Sequence, residues 1–426
     1  MLNSPNKIKK TKENTFFYPI LRLNNSRLIL KCLVILLSFL ILWPLFSLIG
    51  EGLYGIQKGS IYLTNDNLNQ IKGTLLLLVF SLVLGGFLGI ANGWILANCD
   101  LKGRTLLRVL QLIPFATPAY LLAATFIDLG SINSIRITGM FWGVVIMSFT
   151  TYPYVFLLSS ESFEKGGRKQ IEACRTLGIG PWKSFFKISL PIAIPSITAG
   201  LALMAMEIIN ELGAVQLLNI PSISAGIIES WVEQGEPSGA ISLALFALIL
   251  VLLLIAIERQ SRERSKRWSD GITGINSPKW KLKGITLFLA QFITFTPPML
   301  TLGVPIIWAL INIDQMSKGF NTDLIGLTIR SFSLALFVSF ITIFISLILS
   351  ISKRWQNHKW LNIVTFLSSI GYAIPGSVLA LALITFKGSV WQINILSLLI
   401  WGYSIRFLAV SKGGLDAGLE RISPSI

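Results

Sequence analysis

Charge is scarce in this chain, and so are the residues that hold metals or form cross-links. Charged residues occupy 13% of its 426 positions, roughly half the fraction usual for a soluble domain. The three cysteines, Cys32, Cys99 and Cys174, are far apart, no C-x-x-C occurs, and His358 is the single histidine. This excludes a structural zinc site and a disulfide framework. With no cluster of His, Cys or Asp, the sequence offers no metal site, no resident cofactor and no catalytic constellation. It also lacks a G-x-x-x-x-G-K-S/T loop, the usual backbone cradle for nucleotide phosphates. Apolar residues do not alternate with polar ones over short strands, which excludes a membrane β-barrel. The first apolar block carries no small-residue cleavage site after its basic tail, so it reads as retained, not as a cleaved signal peptide.

Apolar residues, by contrast, make up 53% of the chain. They fall into blocks over 29–49, 73–97, 106–128, 139–160, 193–218, 238–257, 284–312, 325–351, 360–384 and 389–411. Each is long enough to cross a bilayer as a helix. The predicted fold class is an all-α integral membrane protein of about ten transmembrane helices. Several blocks exceed what a bilayer needs, so tilts or breaks are expected. The net charge of +16 arises from bases in alternate loops: Lys7, Lys9, Lys10 and Lys12 in the tail, Lys102 and Arg104, Lys165 to Lys187, Arg259 to Lys283, Lys353 to Lys359, and Arg406 to Arg421. The intervening loops are poor in bases and include Glu229, Glu233 and Glu236. Basic loops remain on the cytoplasmic side. The N-terminus is therefore expected in the cytoplasm, in a multi-pass protein of a bacterial plasma membrane. The positive charge answers to the lipid bilayer and to topology, not to nucleic acid.

The sequence repeats itself weakly. Phe115-Ala116-Thr117-Pro118-Ala119-Tyr120 aligns without gaps on Tyr372-Ala373-Ile374-Pro375-Gly376-Ser377, 257 residues later. Pro118 and Pro375 lie inside apolar blocks, where proline removes a backbone hydrogen bond and kinks a helix. Tyr152-Pro153-Tyr154-Val155-Phe156-Leu157 similarly matches Tyr403-Ser404-Ile405-Arg406-Phe407-Leu408. Six spans separate the equivalents, so the two halves share one orientation and a pseudo-two-fold axis along the membrane normal. The expected organisation is a cytoplasmic tail over 1–28, a first unit of six spans over 29–257, a cytoplasmic linker over 258–283, and a second unit of four spans over 284–426.

The loop over 161–191 is the most informative stretch. It reads Ile171-Glu172-Ala173-Cys174-Arg175-Thr176-Leu177-Gly178-Ile179-Gly180-Pro181, continuing through Ile188-Ser189-Leu190-Pro191. An amphipathic helix is expected up to Leu177, a left-handed turn at Gly178 and Gly180, and a second helix opened by Pro181 and ended by Leu190-Pro191. Composition alone fits an interfacial anchor. The spacing resembles the EAA loop of bacterial ABC importer permeases: Glu-Ala-Ala, three residues, Gly, nine residues, Ile-x-Leu-Pro. Glu172, Ala173, Gly178, Ile188, Leu190 and Pro191 match, and Cys174 replaces the second alanine. That resemblance implies a coupling helix seated on a separate ATP-binding subunit, expected as a homodimer. Glu172, Ala173, Cys174 and Gly178 would lie at the contact. It further implies an external substrate-binding protein, a permease that is not itself an enzyme, and a second such loop with two more spans. On that pattern the chain is expected to be C-terminally incomplete.

The fused arrangement, with Pro118-Ala119-Tyr120, Tyr152-Pro153-Tyr154 and Glu207-Ile208-Ile209-Asn210-Glu211-Leu212-Gly213, resembles iron(III) importer permeases, and fused thiamine permeases look similar. Glu207, Asn210 and Glu211 stand at i, i+3 and i+4, hence on one helix face. Charges within a membrane usually face a cavity or a partner, so the three are candidates to line a translocation path, and Arg330 is a candidate partner for Glu207. An ion-coupled secondary transporter would also explain membrane acids and internal repeats, but it leaves the loop spacing without a cause.

Overall fold

The structure is a computed structural model that describes residues 22–60, 63–132, 134–165, 172, 174, 176–266, 279–314, 322–356, 359–368, 370–390 and 394–420. The apolar blocks become helices because a backbone polar group in lipid must be bonded within its own segment. Among the described residues, seven helices are long and apolar enough to cross a membrane, and three bent pairs raise the total to as many as ten spans. The first are α1 (Arg22–Gln57) and α2 (Asn65–Asn98). Thr64 starts α2 by accepting a hydrogen bond from the Asn67 amide at 3.1 Å, satisfying one of the free donors of a first turn.

Proline sets each of the three bends. Helix α3 (Arg104–Leu110) with the 3-10 turn Ile113–Ala116 meets α4 (Ala119–Ile132) at 88°, with Pro118 in the gap. Helices α5 (Met140–Thr151) and α6 (Pro153–Lys165) meet at 43°, with Pro153 opening the second. At Pro118 the helix stops and restarts on a new axis, because proline has no N–H and its ring displaces the preceding turn.

The chain then rises through α7 (Pro181–Asn210). Span five therefore ends at Asn210, not near residue 218. Glu211 adopts an extended conformation, and the short helices α8 (Gly213–Leu217) and α9 (Ile223–Ile228) lead to α10 (Pro237–Lys266). Leu190-Pro191 does not end a helix either. A π turn over Phe185–Ser189 lets the Leu190 amide bond to Phe185, and that wider turn admits Pro191 without breaking the axis.

The second half comprises α11 (Ile285–Ile311), α12 (Thr322–Gln356), α13 (Lys359–Leu367) and α14 (Gly376–Val390), then α15 (Ile395–Glu420). Pro375 stands where α13, with the 3-10 turn Ile370–Tyr372, turns by 109° into α14. Helices α2 and α12, the turns at Ile113 and Ile370, and helices α4 and α14 all begin 257 residues apart. The outward faces repeat as well: Leu75, Val79, Val83 and Phe87 are exposed on α2, and Phe332, Leu336, Phe340 and Phe344 at the same offset on α12. One difference has a visible cause. α6 bends away at Pro153, whereas α15 carries Ser404 at the matching place and runs straight.

The first span of each half packs on the other half. Val34, Ile41, Leu45 and Leu48 of α1 join the cluster formed by Ile374, Val378 and Leu381, and the Trp401 indole donates to the Leu40 carbonyl at 3.1 Å. Reciprocally, Ala290 of α11 joins the core of α2–α7. Gln111 donates to the Thr294 carbonyl at 2.7 Å, and Trp308 donates to the Asp128 carboxylate at 2.6 Å. Two-residue strands β1 (Cys99–Asp100) and β2 (Trp280–Lys281) pair in parallel as a further clasp. Inside the first half, Val155 sits between two glycines: a Cβ on Gly89 would lie 2.6 Å from its Cβ, and one on Gly200 2.8 Å from its Cα. Without hydrophobic drive between helices in lipid, such close backbone approach supplies the packing.

Candidate coupling loop and translocation path

Residues 176–181 form a turn with a defined local cause. The Ile179 amide bonds to the Cys174 carbonyl at 2.8 Å, and Gly178 adopts φ +69°. That is a Schellman closure, in which a left-handed glycine lets the chain reverse and satisfies a terminal carbonyl. Pro181 follows in the first turn of α7, after Gly180. Glu172 and Gly178 are exposed, Cys174 is buried, and a Cβ on Gly178 would meet nothing within 4 Å. Ala173 lies outside the described residues. Ile188 and Leu190 are half-buried, and Pro191 is exposed.

The turn is held from beneath by aromatics. Trp94, at the end of α2, stacks on Trp182 at 5.6 Å and meets Phe185 edge-on at 5.2 Å; Phe163 lies 6.1 Å from Phe185. Arg104 and Arg108 both reach Glu164 at 2.7 Å, fixing α3 to the end of α6. Above this base Leu177 is 76% exposed, with Trp182 and Phe186 also open. Large apolar side chains left exposed in one short segment suit a protein or membrane contact. Sequence reasoning chose the small residues of this loop and missed Leu177, Trp182 and Phe186. The available signal was three large apolar residues in a segment otherwise read as cytoplasmic.

Glu207, Asn210 and Glu211 part company where α7 ends. Glu211 accepts a hydrogen bond from the Ala214 amide at 2.8 Å, so it caps α8 rather than continuing the face of α7. Both amide atoms of Asn210 are buried without a hydrogen-bond partner among the described residues, which costs about 1–3 kcal/mol for an unsatisfied group. Glu207 faces inward, where the Tyr154 hydroxyl donates to its Oε2 at 3.4 Å. The Tyr154 and Tyr372 hydroxyls are 3.5 Å apart, and Phe115 packs edge-on against Tyr154 at 4.7 Å. Arg330 is exposed on α12 and does not serve that carboxylate. Tyr372 entered the sequence reading as a repeat marker, and Tyr154 as a marker of the repeat and of the family resemblance.

Residues 89–262 match the family described as binding-protein-dependent transport system inner membrane component. The stretch holds the 176–181 turn, Tyr154 and Glu207. A sulfate transport system permease protein of Escherichia coli is 31% identical over 203 residues, covering 45% of this chain and 71% of that protein. The chain belongs to this family. A molybdenum transport system permease protein of the same organism is 29% identical over 223 residues, 46% of this chain and 94% of the other. An Fe(3+)-transport system permease protein of Haemophilus influenzae is 24% identical over 415 residues, which is 93% of this chain and 79% of that one. As a binding-protein-dependent permease the chain is an ABC importer subunit and a multi-pass inner-membrane protein. It is not an enzyme, and ATP hydrolysis belongs to a separate subunit.

Proposed function

We propose that this permease carries iron(III) from an external binding protein into the cytoplasm, with Glu172, Ala173, Cys174 and Gly178 seated on an ATP-binding homodimer and Ile188, Leu190 and Pro191 continuing that loop within α7. Glu207, Asn210 and Glu211 lie beside the translocation path, at the turns set by Pro118 and Pro375. The chain is organised as two units over 29–257 and 284–426, joined by a linker over 258–283, with the N-terminal tail in the cytoplasm. The observation that carries the substrate is coverage. The relative whose name specifies Fe(3+) transport aligns with 93% of this chain, whereas the sulfate and molybdenum permeases align with 45% and 46%.

The test is uptake by the complex reconstituted with its ATPase and binding protein in liposomes. Iron(III) accumulation that requires ATP supports the assignment; accumulation of sulfate or molybdate in its place overturns it. Gly178→Asp puts a side chain and a charge on a φ +69° turn, a conformation that L residues adopt at a cost. It is expected to abolish recovery of the ATPase subunit on purification while leaving the permease folded. Retained ATPase would remove the loop from the contact.

A further inference from the structure

Three oxygen-bearing side chains meet where the two halves touch. Glu207 comes from α7 and Tyr154 from α6, both in the first half. Tyr372 comes from the 3-10 turn just before Pro375 in the second. The Tyr154 hydroxyl stands 3.4 Å from Glu207 Oε2 and 3.5 Å from the Tyr372 hydroxyl. All three side chains are half-buried, so none is sealed from a solute passing between the halves. Phe115, the repeat counterpart of Tyr372, packs edge-on against the Tyr154 ring at 4.7 Å. It has no hydroxyl, so the duplicated position supplies packing in one half and an oxygen in the other.

This set of donors has a definite chemistry. It contains no thiolate and no imidazole; carboxylate and phenol oxygens are hard ligands that suit hard cations, and phenolate is a ligand of ferric haem iron. A small cation holds its oxygens at about 2.0–2.1 Å, so two that share it lie within about 4 Å of each other. Both separations through Tyr154 meet that limit. A ligand gives up its proton when it binds a metal. One carboxylate and two phenolates then bring three negative charges, which cancel the charge of iron(III), and a neutral assembly is far cheaper in a low-dielectric interior than a bare ion. Sulfate and molybdate carry the opposite charge and find no such match. Among the described residues Glu207 forms no ion pair, so no resident base has to be displaced for a cation to bind.

We infer that Glu207, Tyr154 and Tyr372 form a transient oxygen site for iron(III) on its way between the halves. The site rests on the iron(III) reading proposed above. Two of its ligands belong to the first half and one to the second. It is complete only while the halves are together, and their separation strips a ligand from the ion and loosens it. A transport path needs binding strong enough for entry and weak enough for release, and a site split across the boundary between the halves supplies both.

The experiment titrates the purified complex of permease and ATPase subunit with iron(III), supplied as its citrate chelate, and follows visible absorption. Iron(III) held by phenolate absorbs there through charge transfer from the ring, which a purely carboxylate site does not. A band is expected with iron(III) and none with iron(II). Loss of groups that merely support a metal ligand costs about 10–100-fold in affinity, so Tyr154→Phe, Tyr372→Phe and Glu207→Gln are each expected to shift the titration by about 10-fold or more. The two tyrosine variants are also expected to weaken the band, whereas Glu207→Gln retains it at saturation. All three substitutions preserve size, and co-purification of the ATPase subunit shows that each variant is folded. In liposomes with the binding protein, each is expected to lower ATP-driven iron(III) uptake by about 10-fold or more. No band in the unmodified complex, or a band and uptake that all three variants leave unchanged, overturns the site alone, since ATP-driven iron(III) uptake by the unmodified complex still upholds the importer reading. Uptake of sulfate or molybdate in place of iron(III) overturns that reading, and the site with it.

Discussion

Glu211 shows how a residue correctly singled out can be placed wrongly. An i, i+4 spacing puts it on the Glu207 face only if the helix continues, and α7 stops one residue earlier. Its carboxylate instead satisfies the Ala214 amide. Removing the acceptor in Glu211→Ala is expected to lower stability by about 1 kcal/mol, the usual cost of a lost cap, whereas Glu211→Gln retains an acceptor and most of that stability. Thermal unfolding of the purified permease in detergent measures both, and equal midpoints for the two variants would argue against capping. Gly178 was legible from sequence because a left-handed turn requires it locally. The hydroxyl contact of Tyr154 with Tyr372 was not, since the two lie 218 residues apart in the chain.

Among elements, prolines mattered more than hydropathy. Apolar blocks located the spans closely, but a block does not say whether its proline kinks a helix or stops it. Pro191 is absorbed by a π turn, while Pro118 and Pro375 stand at breaks of 88° and 109°. The difference lies in which neighbours satisfy the freed carbonyls. The base of the coupling loop is an element-scale device of the same kind: Trp94 of α2 supports Trp182 and Phe185 of α7. Two aromatic contacts of this type are worth about 0.5–1.5 kcal/mol each. Trp94→Ala is therefore expected to weaken binding of the ATPase subunit by roughly 10-fold, since about 1.4 kcal/mol is a factor of ten. Span α2 itself should remain intact. Titration of the solubilised permease with the ATPase subunit checks this, and unchanged affinity would mean that the loop is positioned by other contacts.

At the scale of the molecule, the two halves are interlocked by their first spans, so α1 is expected to be needed for the integrity of α12–α14 although it belongs to the other half of the sequence. Orientation is the remaining molecular prediction. In a cysteine-free background, Ser269→Cys in the linker should react with a membrane-impermeant thiol reagent only from the cytoplasmic side, and Glu233→Cys only from the outside. The reverse pattern would invert the topology drawn from the basic loops.

The sequence by itself determined that this is a membrane protein of about ten helices, which ends carry the basic loops, and which turn carries the family's coupling signature. These are local properties: hydropathy over twenty residues, charge at span ends, and a glycine that must be left-handed. Only the tertiary structure decided which bends are breaks, that each first span crosses to the other half, and that Glu207 meets Tyr154. Those outcomes depend on contacts between residues distant in the chain. In lipid every apolar helix face is equally soluble, so close packing and pairing of the few polar groups decide who neighbours whom.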